Sequence, residues 1–223
     1  MPAAGAGVRL GCTGPKGLVA FGGRPLLVRT LERFGTLDLV DGAVIVVAPG
    51  YTSDFEAALT AGFPGCAFTL VEGGTTRQES VTLGLQALAA DTEIVAIHDA
   101  ARPFVTRESI QAALDAAARY GASTVAVPVV DTILEGDGDG NLVDTPDRRR
   151  LWACQTPQVF HTPVIRDAHD AARREGYTAT DDASLVRRAG GMVKLVEGTP
   201  LNFKVTTPTD LALAECVLAR GLA

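Results

Sequence analysis

The chain is short of aromatic side chains: Phe, Trp and Tyr make up 5% of its 223 residues, against 24 glycines. That balance disfavours a broad aromatic binding surface and favours tight turns and close backbone approaches. Cysteine is scarce too. Cys12, Cys66, Cys154 and Cys216 stand apart, with no C-x-x-C pair, so neither a zinc site nor a disulfide framework is signalled and reduced, partly buried thiols are expected. Positive charge is in deficit. Lys plus Arg number 20 against 26 Asp plus Glu, a formal charge of −6, which argues against a general binder of nucleic acid or anionic membrane but leaves room for a local basic pocket. No apolar run approaches the roughly 20 residues of a membrane helix. The start, Met1-Pro2-Ala3-Ala4-Gly5, lacks the basic and apolar regions of a signal peptide. Internal repeats and low-complexity tracts are also missing. These absences point to a cytoplasmic protein without nucleic-acid or membrane partners.

Hydrophobic residues at 47% and charged residues at 21% are ordinary for a globular chain, and the length suits one domain. Short apolar runs alternate with longer amphipathic segments. Strands are predicted at 43–47, 94–97 and 124–127, with weaker candidates at 67–71 and 192–196. Helices are predicted at 26–34, 78–88, 109–120, 164–175 and 209–220, the last with Thr209 as N-cap and Gly221 past its end. Such alternation implies an α/β fold, a three-layer α/β/α sandwich with a mostly parallel sheet, in which ligands sit at the carboxyl ends of the strands. Residues 131–150 break the rhythm: two β-like pieces flank a Gly/Asp turn at 136–141, a hairpin signal. It reads as a projecting β-arm that dimerises or covers a site, or as an ordinary surface hairpin.

Three segments carry chemistry. The first runs Pro2-Ala3-Ala4-Gly5-Ala6-Gly7-Val8-Arg9-Leu10, then Gly14-Pro15-Lys16. Small residues admit a ligand to the backbone, consecutive N–H groups can hold phosphate oxygens, and Arg9 and Lys16 add charge. A dinucleotide fingerprint fails because Leu10 stands at its last glycine. A Walker loop fails because Pro15 precedes Lys16 and Gly17 follows it. The second, Glu72-Gly73-Gly74-Thr75-Thr76-Arg77-Gln78-Glu79-Ser80, follows a strand and opens a helix. It suits contacts to a base, ribose or phosphates, and equally a capped helix with Thr76 as N-cap and Glu79 three residues on. The third, His98-Asp99-Ala100-Ala101-Arg102-Pro103, puts an acid at a strand end. Asp99 could hold a ribose hydroxyl or Mg²⁺ through water, and Arg102 could fork onto a phosphate. An internal Asp99–Arg102 pair is the competing reading, and His98 reads as a hydrogen-bonded structural residue.

Further on stand Arg148, Thr156-Pro157-Gln158, Thr180-Asp181-Asp182-Ala183-Ser184 and Asn202-Phe203-Lys204-Val205-Thr206. Arg148 to Arg150 would ordinarily be a solvated basic face, and Thr180 a helix N-cap. Lys204 lies among apolar residues on a predicted strand, where a Lys requires an anion. Residues 137–148 mimic a calcium loop but carry Leu142 in place of its Gly and Arg148 in place of its Glu. No G-x-S-x-G elbow or H-E-x-x-H motif occurs, and His98, His161 and His169 are not spaced as ligands.

This ordered set of motifs resembles the 2-C-methyl-D-erythritol 4-phosphate cytidylyltransferases of the non-mevalonate isoprenoid pathway, from Pro2 to Leu211 and beyond. The opening loop alone is shared by many nucleotidyltransferases; the whole series is far more specific. The resemblance implies one Rossmann-like nucleotidyltransferase domain over residues 1–223, with 131–150 as a dimerisation arm. It implies transfer of CMP from CTP to methylerythritol phosphate with Mg²⁺, by in-line attack of the acceptor phosphate on the α-phosphorus. By the same resemblance Arg9 and Lys16 stabilise the transition state. Ala3, Ala4, Gly5 and Gly7 contact the nucleotide through the backbone. Gly74 and Ser80 form the cytosine pocket, and Asp99 lies near the ribose and the metal–phosphate cluster. Asp99, Arg102, Thr132, Arg148, Thr156, Thr180 and Lys204 bind the acceptor, Arg148 and Lys204 holding its phosphate for attack. Thr132 and Arg148 would reach a partner subunit through the arm, giving a homodimer with shared sites.

Two departures accompany the resemblance. Relatives usually carry an apolar strand ahead of the P-A-A-G loop, whereas this sequence starts at Met1-Pro2, which suggests a misassigned start codon or a trimmed chain and a gap in the sheet. Thr75 stands where many relatives have an acid near the base. Two other functions use the same residues: a sister cytidylyltransferase acting on ribitol 5-phosphate, and a non-catalytic nucleotide-binding protein on the same fold.

Overall fold

A computed structural model describes residues 1–35, 40–62 and 67–222. A small hairpin, β1 (Ala20–Phe21) and β2 (Arg24–Pro25), precedes α1 (Leu26–Gly35). Then come β3 (Ala43–Val47), α2 (Thr52–Gly62), β4 (Phe68–Glu72), α3 (Arg77–Gln86), β5 (Ile94–Ile97), α4 (Arg107–Tyr120) and β6 (Ala122–Pro128). The hairpin of β7 (Glu135–Gly136) and β8 (Leu142–Asp144) leads to β9 (Trp152–His161), α5 (Thr162–Glu175), α6 (Asp182–Arg188), β10 (Lys194–Glu197) and α7 (Pro208–Ala219).

Strands β3 and β4 pair in parallel, as do β6 and β10, while β9 runs antiparallel between β5 and β6. The α/β architecture and mostly parallel sheet expected from the sequence are present. Along β9, Val159 packs with Ala113 and Ala117 of α4, and Phe160 packs with Ile165 and Leu185 of α5 and α6. Successive strand residues face opposite sides, so helices cover the sheet on both. A third cluster, Leu27, Ile45, Phe55 and Leu59, joins α1, α2 and β3.

The N-terminal residues lie where the two sheets meet. Val46 N–H donates to the Met1 carbonyl (2.9 Å) and Ala3 N–H to the Val46 carbonyl (2.7 Å). On the other side Ala100 N–H reaches the Pro2 carbonyl at 3.4 Å. Pro2 thus makes a parallel bridge to Val46, and the chain leaves this junction straight into the P-A-A-G loop.

Several sequence expectations need correction. Strand β9 is missed by the periodicity because Pro157 argues against a central strand. The β6–β9 register slips between Thr124↔Gln158 and Ala126↔Cys154, so Pro157 falls in an irregularity where the ladder is interrupted. Helix α2 buries only Phe55 and Leu59, too few for a clear stripe, and α6 has seven residues. Helix α7 is capped by Thr207 instead of Thr209, with Asp210 completing a capping box and Pro208 in the first turn. Asp181, and not Thr180, caps α6, because the carboxylate after Thr180 is the one that reaches Ser184 N–H. Lys204 lies outside the described strands, in an extended segment pinned by Val205 N–H to the Ala101 carbonyl at 2.9 Å. Cys154 and Cys216 are exposed and Cys12 is half-buried, all with free thiols; Cys66 lies outside the described residues.

The β7–β8 hairpin forms as anticipated, its turn closed by Asp137 Oδ1 accepting from Asp139 and Asn141 N–H. Leu134, Leu142 and Val143 on this arm, and Val130 just before it, are all exposed. Among the described residues, no helix is long and apolar enough to cross a membrane.

Candidate active site

The site is built from three loops, which follow the N-terminal bridge to Val46, β4 and β5. In the first loop Gly7 adopts φ 69° and ψ 10° at the head of the 3-10 turn Val8–Leu10. A side chain there would be strained by the left-handed backbone, and its Cβ would lie 3.0 Å from the Gly14 carbonyl oxygen. The loop closes when Lys16 N–H donates to the Gly5 carbonyl (3.0 Å). Lys16 opens a second 3-10 turn, Lys16–Leu18, led in by Pro15.

The second loop leaves β4. Gly73 N–H donates to the Val47 carbonyl at 2.8 Å, tying the loop to β3. A Cβ at Gly73 would meet Ala4 Cβ and Ser80 Oγ, each at 2.9 Å, so glycine permits the two loops to touch. Ser80 Oγ accepts from Gly74 N–H (3.1 Å) and donates to the Thr76 carbonyl (2.8 Å). Thr76 caps α3 by accepting from Glu79 N–H. The Glu79 carboxylate accepts from the N–H and hydroxyl of Thr75, both at 2.8 Å, which holds this exposed carboxyl below its usual value, the Thr75 hydroxyl having the largest effect.

The third loop carries Asp99. Its N–H donates to Thr156 Oγ1 (3.1 Å), which lies 3.0 Å from His98 Nδ1. His98 Nε2 lies 3.1 Å from the Arg102 carbonyl. A carbonyl only accepts, so Nε2 carries the proton and Nδ1 accepts from the Thr156 hydroxyl. Burial lowers the His98 pKa to about 4 and keeps it neutral, in line with the structural role expected for it. The Asp99 carboxylate meets Lys204 Nζ at 2.9 Å, Arg102 Nε at 3.5 Å and Arg77 Nε at 4.0 Å. Burial opposes its ionisation, yet these cations, Lys204 foremost, outweigh burial and hold the carboxyl well below the carboxylate range. The internal Asp99–Arg102 pair is therefore real, as one contact among three.

Around Asp99 opens a cavity of about 390 Å³, lined by residues 2–6, by Gly74 to Arg77 and Ser80, and by Lys16 and Lys204. Burial, then repulsion from Lys204, lowers the Lys16 pKa to about 8. Cations outnumber carboxylates here, and their charges are screened less than at an open surface.

Of the residues singled out from the sequence, Ala3, Ala4, Gly5, Lys16, Gly74, Ser80, Asp99 and Lys204 line this cavity. Arg9 and Gly7 are outside its lining; Arg9 is exposed, though near enough to add to the repulsion on Lys16. Arg102 contacts Asp99 from behind while giving NH1 to the Asn202 carbonyl (2.8 Å). Thr156 is buried, its hydroxyl engaged by Asp99 N–H and His98. Thr180 is exposed. Thr132 and Arg148 lie on the arm, exposed and away from the lining, with Arg148 NH1 bonded to the Val130 carbonyl at 2.6 Å. Arg77, the Arg of the Gly73-Gly74 motif, also lines the cavity, although the resemblance assigns it no individual role.

Among the described residues no group of three His, Cys, Asp or Glu could hold a metal ion. Among the described residues Asp99 is the one acid in the cavity lining, and it is already met by three cations. This donor set does not fit a metal held by the protein alone; it fits an ion that arrives on substrate phosphates.

Comparisons with known proteins agree with this geometry. The family profile described as 2-C-methyl-D-erythritol 4-phosphate cytidylyltransferase matches residues 1–220. The protein of that name from Symbiobacterium thermophilum is 48% identical over 220 residues, covering 98% of this chain and 91% of its own length. Its namesake from Geobacillus kaustophilus is 46% identical over 221 residues, covering 99% and 96%. Among solved structures, the Thermus thermophilus protein of that name gives a TM-score of 0.78 at 39% identity, over 92% of this chain and 94% of that one. A 4-diphosphocytidyl-2C-methyl-D-erythritol synthase from Anaerococcus prevotii gives 0.86 at 29% identity, over 98% and 96%. By sequence and by fold, this chain belongs to the 2-C-methyl-D-erythritol 4-phosphate cytidylyltransferase family of nucleotidyltransferases.

Proposed function

We propose that the cavity transfers CMP from CTP to 2-C-methyl-D-erythritol 4-phosphate, releasing pyrophosphate and 4-diphosphocytidyl-2-C-methyl-D-erythritol. The observation that carries this reading is the meeting of the small-residue loop, residues 2–6, with Lys16 and Lys204 in one cavity. The acceptor phosphate attacks the α-phosphorus in line and pyrophosphate leaves. Both reactants are anions, so the residues act by holding them together and compensating charge as the phosphoryl group transfers. Lys16 sits by the triphosphate loop. Lys204, anchored by Asp99, takes the acceptor phosphate. Gly74 and Ser80 bound a narrow slot for the pyrimidine. A Mg²⁺ ion carried on CTP would withdraw charge from the phosphates, and Asp99 is the carboxylate of the lining that could face it.

The test is pyrophosphate release with CTP and Mg²⁺, offering methylerythritol 4-phosphate and ribitol 5-phosphate in parallel. Release with the first alone is expected. Release with ribitol phosphate alone moves the chain to the sister activity, and CTP binding without release from either acceptor makes it a binding protein.

The lowered Lys16 pKa adds a pH dependence. Lys16 compensates charge only when protonated, so kcat/KM for CTP should fall as pH rises through about 8. A profile flat up to the ordinary lysine value would remove Lys16 from the nucleotide site.

The reading extends to a homodimer with arm-swapped sites. Thr132 and Arg148, the arm residues assigned to the acceptor, are away from the cavity lining of their own chain. Val130 is 79% exposed and Leu142 64%, apolar area that a second subunit would cover. The free thiols of Cys12, Cys154 and Cys216 fit a cytoplasmic setting.

A further inference from the structure

Two positions before Lys204, in the connection between β10 and α7, stands Asn202. It has no role in the reading above and does not line the cavity, yet it is 1% exposed and bonded in several directions. Its Nδ2 donates to the Thr156 carbonyl at 2.9 Å and to Gln155 Oε1 at 3.1 Å. Gln155, also buried, gives its own Nε2 to the Thr199 carbonyl at 2.9 Å. Carbonyls only accept, so the two backbone oxygens fix which way each amide faces. Gln155 and Thr156 belong to β9. The two amides therefore lace residues 199–202 to the strand whose Thr156 hydroxyl accepts from Asp99 N–H. Asn202 Oδ1 is buried with no hydrogen-bond partner among the described residues. That is a cost to the fold, so stability accounts poorly for this amide and placement accounts for it better.

Beyond Asn202, Phe203 packs against the cluster of Leu10, Phe21 and Phe104, and Val205 N–H donates to the Ala101 carbonyl. The backbone of Lys204 is thus held from both sides, while its Nζ meets Asp99 at 2.9 Å. A lysine ammonium rides on a flexible four-carbon stem, so it is aimed only as well as its backbone is held. We propose that Asn202 is a positioning residue for the acceptor phosphate, its locked amide fixing the backbone from which Lys204 reaches that phosphate, a role that rests on the assignment of Lys204 to the acceptor.

Separate KM values in single and double variants test it. Asn202→Ala keeps the Asn202 carbonyl that accepts from Arg102 and removes only the amide. It should raise KM for the acceptor by about tenfold, the loss expected when one hydrogen bond to a charged group is weakened, and leave KM for CTP near its original value. In the Lys204→Met background, Asn202→Ala should add nothing further to KM for the acceptor, since its effect has no other route. A merely structural Asn202 would lower the melting temperature and the amount of active enzyme, and so kcat, with both KM values unmoved. Gln155→Met, close in volume, removes one of the two acceptors of the Asn202 amide. It should raise KM for the acceptor by about threefold, as for one neutral hydrogen bond, and it covers the case where Asn202→Ala fails to fold. An unchanged KM for the acceptor in either folded variant, equal rises in both KM values, or full additivity with Lys204→Met would each overturn the proposal. Lys204→Met alone separates this from the underlying assignment. If it leaves KM for the acceptor unmoved, Lys204 does not hold that phosphate and this inference falls with it; if it raises KM while Asn202→Ala does not, only the role of Asn202 falls.

Discussion

Lys16→Ala should lower kcat by roughly 100-fold or more, the cost of removing one preorganised charge-stabilising donor, while the melting temperature stays close to that of the parent chain. The reaction gathers negative charge at the α-phosphorus as a phosphate attacks it, and Lys16 is a cation of the cavity wall on the side of the P-A-A-G loop. Lys16 is half-buried, and a charge in such surroundings acts more strongly than one at an open surface. The fold does not depend on its ammonium. The loop is closed by Lys16 N–H to the Gly5 carbonyl, which alanine keeps. Lys16→Met, which retains the stem, should lose as much as Lys16→Ala. Steady-state kinetics at saturating CTP check this, and unchanged turnover in either variant would exclude Lys16 from the chemistry.

Arg148→Ala should be inactive in the same assay, and mixing it with Lys16→Ala should restore activity. The cavity residues and the arm residues are contributed differently if the arm reaches a second subunit. Each homodimer of a single variant then has two defective sites. The heterodimer has one site with both lesions and one with neither. A statistical mixture contains half heterodimers, so about a quarter of the parent activity is expected from one good site in two, by the closed two-fold geometry of an isologous pair. Differentially tagged subunits, purified as confirmed heterodimers, make the measurement direct. No recovery would place Arg148 in the site of its own chain, and the exposed apolar arm would need another explanation. The same Arg148→Ala protein should show a larger rise in KM for the acceptor than for CTP if residual activity is measurable; equal rises would contradict a contact to the acceptor phosphate alone.

Much of the site was legible because its chemistry is local. Gly7 and Gly73 are needed where backbones approach closely, and Pro15-Lys16 sets a short turn with one cation at its start. Asp99 stands two residues past the end of an apolar strand run, so its position at a carboxyl end could be read without coordinates. Lys204 among apolar neighbours required an anion, and the structure supplies Asp99 at 2.9 Å.

What failed was non-local. Strand β9 is central, yet Pro157 hides it; only the neighbouring β6 shows that the proline sits where the register slips. Thr180 was the expected cap of α6, yet it is the Asp181 carboxylate that reaches the Ser184 N–H. The hydroxyl of Thr156 could face a ligand or the interior, and contacts from Asp99 and His98, some 57 residues away for Asp99, turned it inward.

The sequence by itself determined the alternating α/β order, the three loops that end at the cavity and the cations in them, since these follow from periodicity, backbone permissiveness and residue charge within a few positions. Only the tertiary structure decided which carboxylate each cation meets. Arg77 and Asp182 are 105 residues apart, and no local pattern encodes that pairing; burial in a shared, water-poor interior makes the partners of a charge obligatory and brings them together.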